Sequence, residues 1–181
     1  MLATGIRDRL VIGGAEEFGA LTERHLDGAY RLATIILGDA MEAEDAVHDA
    51  AIAAWRSWSS LRDRDRFEAW FSRIVVNACR DRLRSRRRRP IVELTPDRIG
   101  EAVGLARHDG IESVAARDAL ARAFAVLDPD ERIVIVLRFW RDLTVDDIAE
   151  RTGTPSGTVK SRLHHALGRL RTALTIAEND Q

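Results

Sequence analysis

Apolar positions along this chain recur at intervals of three and four residues, the spacing that puts side chains on one face of an α-helix. The first run starts near Phe18, passes through Leu21, Leu26, Tyr30, Leu32, Ala33 and Ile36, and ends at Leu37-Gly38. Asp39 then stands where a helix N-cap belongs, and Ala43, Ala46, Val47, Ala50, Ala51, Ala54 and Trp55 carry a second helix. Residues 57–66 are polar, charged and without period, so they predict a loop. Phe67 opens a third helix whose core side is Trp70, Phe71, Ile74, Val75, Ala78 and Leu83, and it dissolves before Pro90. Residues 90–111 mix Pro, Gly and acids without a sustained period and predict a flexible linker. A second helical block starts near Glu112 with Val114, Leu120, Phe124 and Leu127 inward. It turns at Asp128-Pro129-Asp130, where Pro129 suits the first turn of the helix that follows. That helix continues through Ile133, Val136, Leu137 and Trp140.

The last segment predicts a helix-turn-helix. Val145, Ile148 and Ala149 make the apolar face of a short helix, Gly153 breaks it, and Ser156 is placed to cap the next. Val159, Leu163, Ala166, Leu167 and Leu170 then form a buried stripe. Thr158, Lys160, Ser161, Arg162, His164 and His165 fall mostly off it and point outward from the helix's N-terminal half. In this motif that half enters a DNA major groove. An ordinary helical hairpin with a solvated polar face would give the same pattern if the segment stood alone.

Composition narrows the class. One Tyr and four Pro among 181 residues, with abundant Ala, Leu, Arg and Glu, favour an all-α chain of two small helical domains joined by a flexible linker, the second containing the helix-turn-helix. No run approaches the length of a membrane span, and the N-terminus lacks the basic start and apolar stretch of a signal peptide, so a cytoplasmic protein is expected. Cys79 is the only cysteine, which rules out a disulfide framework. No Gly-rich phosphate loop, metal-spaced His/Cys set or nucleophile context is present, so neither an enzyme nor a cofactor is expected. His164 and His165 are adjacent rather than four apart and do not share a helical face.

The net charge of −1 conceals strong segregation. Residues 13–49 carry nine acids against two Arg, and residues 56–89 carry twelve Arg against four acids. Residues 90–131 return to nine acids against four Arg, and residues 132–175 hold eight bases against four acids. This alternation predicts two basic faces, each with an acidic surface for another partner. With acids able to compete for the basic faces, the free protein is expected to bind duplex DNA poorly.

The third helix, FEAWFSRIVVNACRDRLRSRRRR, holds the second nucleic-acid signature. Arg73, Arg80, Arg84 and the terminal Arg run can track phosphates. Asn77, Arg80 and Asp81 form one turn where base edges can be read. Phe67, Trp70 and Phe71 admit two readings: rings on which unpaired bases stack, or ordinary core.

Three segments in this order resemble the small two-domain bacterial sigma factors of RNA polymerase, the extracytoplasmic-function type of the sigma-70 family. They are EAEDAVHDAAIAAW (42–55), the Arg-rich helix (67–89) and LDPDERIVIVLRFWRDLTVDDIAERTGTPSGTVKSRL (127–163). The resemblance implies a core-polymerase- and minus-ten-binding domain over 13–89, a linker over 90–111 and a minus-thirty-five-binding domain over 112–175. It implies that Glu44, Asp45, Val47, His48 and Asp49 lie on the surface that docks core RNA polymerase. His48-Asp49 stands where the family more often has Gln-Glu. It further implies that Asn77, Arg80 and Asp81, with residues 59–66 as a pocket-forming loop, read and capture a flipped minus-ten base, Arg73 and Arg84 lying on the same helix. Lys160, Ser161, Arg162, His164 and His165 match the readers of the minus-thirty-five element. An anti-sigma factor is the partner the family implies for control. The alternative is a stand-alone helix-turn-helix regulator. Such a regulator would carry a ligand pocket or receiver in place of the acidic and Arg-rich helices of the first half.

Overall fold

A computed structural model of the chain describes the backbone of residues 2–88 and 114–179, with side chains over 14–86 and 119–176. The linker expected over 90–111 lies outside the described residues.

Helix α1 spans Leu2–Leu37, α2 Ala40–Arg56 and α3 Phe67–Arg88. In the second half α4 spans Val114–Ala125, α5 Pro129–Ile135, α6 Val145–Thr152 and α7 Ser156–Asn179. The described residues contain no strand. Helix α1 begins well before Phe18, where its apolar period becomes legible. Its end falls where expected, at Gly38 with φ 67°. Asp39 caps α2 by accepting from the Glu42 amide at 3.0 Å. The expected loop 57–66 is wound into two short 3-10 turns, Trp58–Ser60 and Arg64–Arg66.

The helices α1, α2 and α3 pack on one another through Leu32, Ile36, Ala43, Ala46, Val47, Ala50, Phe67, Phe71, Val75, Cys79 and Leu83. Phe18, Trp55, Trp58, Phe67, Trp70 and Phe71 form one aromatic group, and Phe67 stacks on Phe71 at 5.5 Å between centroids. The core reading therefore holds for Phe67 and Phe71, each 1% exposed. Trp70 is only half-buried. Burial pushes the Cys79 thiol up to about 12, so it stays protonated and inert at neutral pH.

In the second half Pro129 occupies the first turn of α5, as its fixed φ suits. The chain then makes a five-residue π turn, Val136–Trp140, in which the Arg141 amide donates to the Val136 carbonyl at 3.3 Å. Thr144 caps α6 and Gly153 ends it at φ 61°, a left-handed conformation that favours glycine. Two local expectations are corrected here. Ser156 is not a cap: it lies inside α7, and its hydroxyl donates to Asp146 Oδ1 at 2.7 Å, tying the two helices of the motif together. Leu167 is 41% exposed, while Val159, Ala166 and Leu170 are buried, because the true helical period turns Leu167 off the stripe.

The two halves are in contact. Helix α3 packs against α5 and α6 as well as α1 and α2. The apolar cluster runs on from the first domain through Ile133, Val134, Val136, Leu137, Ile148 and Val159, with Trp70, Ile74 and Ala78 partly buried against it. Arg132, 4% exposed, donates to the Ile36 carbonyl at the end of α1 (3.3 Å) and to the Phe124 carbonyl at the end of α4 (2.8 Å). Burial, together with the charge of Arg86, pulls its pKa down to about 10, which leaves it a cation facing the negative ends of two helices.

Phe71 fills the centre of the first domain, so Phe71→Ala is expected to cost about 3–5 kcal/mol. Urea titration of the far-ultraviolet circular dichroism would show a lower midpoint. A midpoint unchanged from the wild type would contradict this placement.

Candidate nucleic-acid and polymerase interfaces

Helix α3 positions the first group of candidate readers. With Phe71, Val75, Cys79 and Leu83 turned into the core, Arg73, Asp81 and Arg84 are exposed on the other faces, and Asn77 and Arg80 are half-buried at the boundary with α5. Arg80 donates to Asn77 Oδ1 at 2.9 Å, so these two side chains act as one unit. A cleft of about 290 Å³ lies at an earlier part of α3, lined by Ser60, Arg62, Asp63, Arg66, Trp70 and Arg73, with Glu150 and Arg151 of α6 at its edge. Residues 60–63, Arg66 and the half-buried Trp70 ring thus line this cleft.

The Arg run at the end of α3 is not uniformly available. Arg86 is held inside the first domain, bound to Glu42 Oε2 at 2.6 Å and donating to the Leu37 carbonyl at 2.8 Å. It secures the end of α1 against the start of α2. The Arg87 and Arg88 side chains and Arg89 lie outside the described residues.

The second group lies on the N-terminal half of α7. Thr158, Lys160, Ser161, His164 and His165 are exposed, Arg162 is partly covered, and Val159 is buried beneath them. The two imidazoles meet edge to face at 5.8 Å. All six expected side chains therefore lie off the buried stripe.

On α2, Glu44, Asp45, His48 and Asp49 are exposed. Val47 is 4% exposed and faces the core, so it supports this face from beneath and is not part of its surface. Arg82 of α3 reaches Asp49 at 2.6 Å and Asp45 at 3.6 Å. Among the described residues no group of three or more His, Cys, Asp or Glu could hold a metal ion. No described helix is long and apolar enough to cross a membrane.

Partners that the sequence did not reveal meet at the boundary between the halves. Asp130 at the start of α5 takes Arg84 at 3.1 Å and Arg162 at 3.0 Å on one oxygen. Arg80 Nε lies 2.7 Å from the other oxygen, an ion contact in which the N–H direction misses the acceptor. Glu68 of α3 binds Arg141 and, at 3.4 Å, Arg151. Glu150 of α6 binds Arg66 of the pocket loop. Only the alternation of acidic and basic blocks hinted at such pairings.

Residues 21–89 match the Sigma-70 region 2 family and residues 123–172 match Sigma-70, region 4. The ECF RNA polymerase sigma factor SigM of Mycobacterium tuberculosis is 33% identical over 88% of this chain and 78% of its own length. This chain belongs to the ECF sigma factors of RNA polymerase. The RNA polymerase sigma-E factor of Streptomyces coelicolor is 29% identical over 93% of this sigma factor and 92% of its own length. In fold it is similar to the sigma factor RpoE of Bartonella quintana, solved with the anti-sigma factor NepR. That likeness has a TM-score of 0.63 and 22% identity, covering 89% of this chain and 98% of the other. CnrH, solved with the cytosolic domain of CnrY, gives a TM-score of 0.61 and 23% identity over 91% and 96%. An alternative sigma factor binds core RNA polymerase and directs promoter recognition and transcription initiation, and that is the function of this protein.

Glu68 supplies a pH test of the contact between the halves. Burial pushes its carboxyl up, but the hydrogen bond from Arg151 and the charges of Arg151, Arg141 and His25 outweigh this and hold it below the usual range. A lowered carboxyl pKa adds stability that is present above the unfolded-state value, about 4.3, and is lost as pH falls through the folded-state value. Glu68→Gln is therefore expected to melt below the wild type at neutral pH, with the gap closing under acid. Melting curves measured from about pH 7 to about pH 3 check this; a gap that is constant with pH would count against the Glu68 pairing.

Proposed function

We propose that this sigma factor divides promoter recognition between its two basic faces. Arg73, Asn77, Arg80, Asp81 and Arg84 of α3, with the cleft under residues 59–66, hold and read the opened minus-ten element. The flipped base enters beside Trp70, and its lost stacking, a few kcal/mol, is offset by the ring and the surrounding Arg side chains. Thr158, Lys160, Ser161, Arg162, His164 and His165 face the minus-thirty-five element, with Lys160, Ser161 and Arg162 at its centre. The observation that carries this reading is the exposed polar row on α7, raised on Val159 directly after the tight turn at Gly153. That is the placement by which a helix-turn-helix presents side chains to a major groove.

The exposed acids Glu44, Asp45 and Asp49, with His48, form the surface for core polymerase, stiffened from within by Val47. The domains then run over 13–89 and 112–175, joined by 90–111. An anti-sigma factor, as accompanies the two solved relatives, is the proposed inhibitory partner. The protein works in the cytoplasm, where polymerase and promoter are found, and performs no catalysis of its own.

Run-off transcription from a promoter library with purified core polymerase tests the proposal. Transcripts from a defined subset, absent without this protein, are expected. Duplex binding with no transcripts would favour a stand-alone regulator. Lys160→Ala should weaken use of the upstream element about tenfold, the effect of a contact worth roughly 1–2 kcal/mol, while polymerase binding stays unchanged. Loss of polymerase binding in that variant would contradict the assignment. Asn77→Ala should impair opening at the downstream element, and a permanganate footprint identical to the wild type would count against it.

A further inference from the structure

A cavity of about 500 Å³ opens between α1, α3 and Arg141, and it shares no residue with the cleft under the pocket loop. None of its lining residues belongs to the proposed DNA or polymerase faces. Its volume lies in the range of about 300–1,000 Å³ that small organic ligands fill. Part of the lining is apolar, supplied by Ala29, Leu32 and Phe71.

The rest is charged or polar. On α1, Arg24, Asp27, Gly28 and Arg31 line the cavity at spacings of three and four residues, so they share one helical face. Both arginines are exposed; the Arg24 side chain makes no hydrogen bond or ion pair among the described residues, and that of Arg31 makes only a long contact, 3.4 Å to the Asp27 carbonyl. Gly28 stands between them, and a Cβ there would meet no neighbour within 4 Å. Glycine weakens a helix interior, so nothing in α1 itself calls for it at this position. From α3, Ser72 lines the cavity at 6% exposure, and its buried hydroxyl has no hydrogen-bond partner. Such a group is costly unless something satisfies it. Three guanidinium groups, Arg24, Arg31 and Arg141, thus face two carboxylates, Asp27 and Glu68. Glu68 is already engaged by Arg141 and by Arg151, which is not part of the lining. His25 also lines the cavity, its ring 5.6 Å from that of Phe67. The result is surplus positive charge beside an apolar wall.

We propose that this cavity binds a small organic phosphate of mononucleotide size. The guanidinium forks of Arg24 and Arg31, one turn to either side of Gly28, fit the oxygens of a phosphate, and Ser72 has a hydroxyl to donate. The organic body lies over the bare backbone at Gly28 and against Leu32 and Phe71. A phosphate ion by itself would leave that apolar wall uncovered. The proposal does not depend on the promoter assignments.

Isothermal titration of the full chain, in phosphate-free buffer with about 50 mM salt to limit screening, tests it. The probes are adenosine and guanosine 5′-monophosphates, the two nucleosides and inorganic phosphate. At least one nucleotide should bind one to one, and about tenfold or more tightly than inorganic phosphate or its own nucleoside. Absence of saturable nucleotide binding overturns the proposal. Inorganic phosphate binding as tightly would reduce the cavity to an anion site and overturn the organic ligand. A nucleoside binding as tightly would overturn the part given to the arginines. Displacement of the nucleotide by a mixed-sequence duplex of about 30 base pairs would assign the cavity to DNA phosphates and overturn the small ligand.

Arg24→Gln and Arg31→Gln, at exposed positions that the fold does not need, should each weaken nucleotide binding about tenfold, the effect of one charge-assisted contact. Arg56→Gln, also exposed and outside the cavity, is the control for net charge and should change affinity by about twofold or less. Equal loss in all three overturns the site. Gly28→Leu fills the space between the two arginines and should abolish most binding while the melting temperature holds or rises, since leucine favours the helix. Unchanged affinity in that variant overturns the proposal. Ser72→Ala should weaken binding about threefold or more without lowering the melting temperature, because the hydroxyl has no partner in the protein to lose. A lower melting temperature with unchanged affinity would place that hydroxyl in the fold and count against the proposal.

Discussion

Asp130 brings three guanidinium groups to one carboxylate, two from α3 and one from α7, where the second half meets the first. The ionic contribution is modest. Arg84 is half exposed, and partly solvated pairs of this kind contribute about 0–1 kcal/mol each. Three cations around one anion also repel one another. Apolar burial has to supply much of the rest, through Ile133, Val136, Leu137 and Ile148 continuing the cluster that holds Trp70, Ile74 and Ala78. Arg132 adds a different kind of contact, since its buried cation sits on carbonyls at the ends of α1 and α4 and not on a carboxylate. Several small terms of this kind together hold the halves in contact.

What the sequence could show was set by what is local. The ends of α1 and α6, the cap at Asp39 and the turn at Pro129 were readable because each is encoded within a few residues. The start of α1 was not: Gly13-Gly14 interrupts the pattern, each glycine costing a helix roughly 1 kcal/mol, yet the helix runs through them to Leu2. The π turn at Val136–Trp140 escaped notice because one extra residue per turn barely disturbs the spacing of Ile133, Val136, Leu137 and Trp140. Ser156 was misread for a tertiary reason, since its hydroxyl is used by Asp146 ten residues earlier.

The candidate readers were legible as positions but not as contacts. Periodicity separates Lys160 and Ser161 from Val159, and Arg84 from Leu83, because one helix settles which side is buried. It says nothing of Arg80 meeting Asp130, fifty residues away, because that pairing depends on how the two halves dock. The alternating charge blocks showed that acids were available to cover basic faces. Which acid covers which arginine is a property of the docked geometry alone.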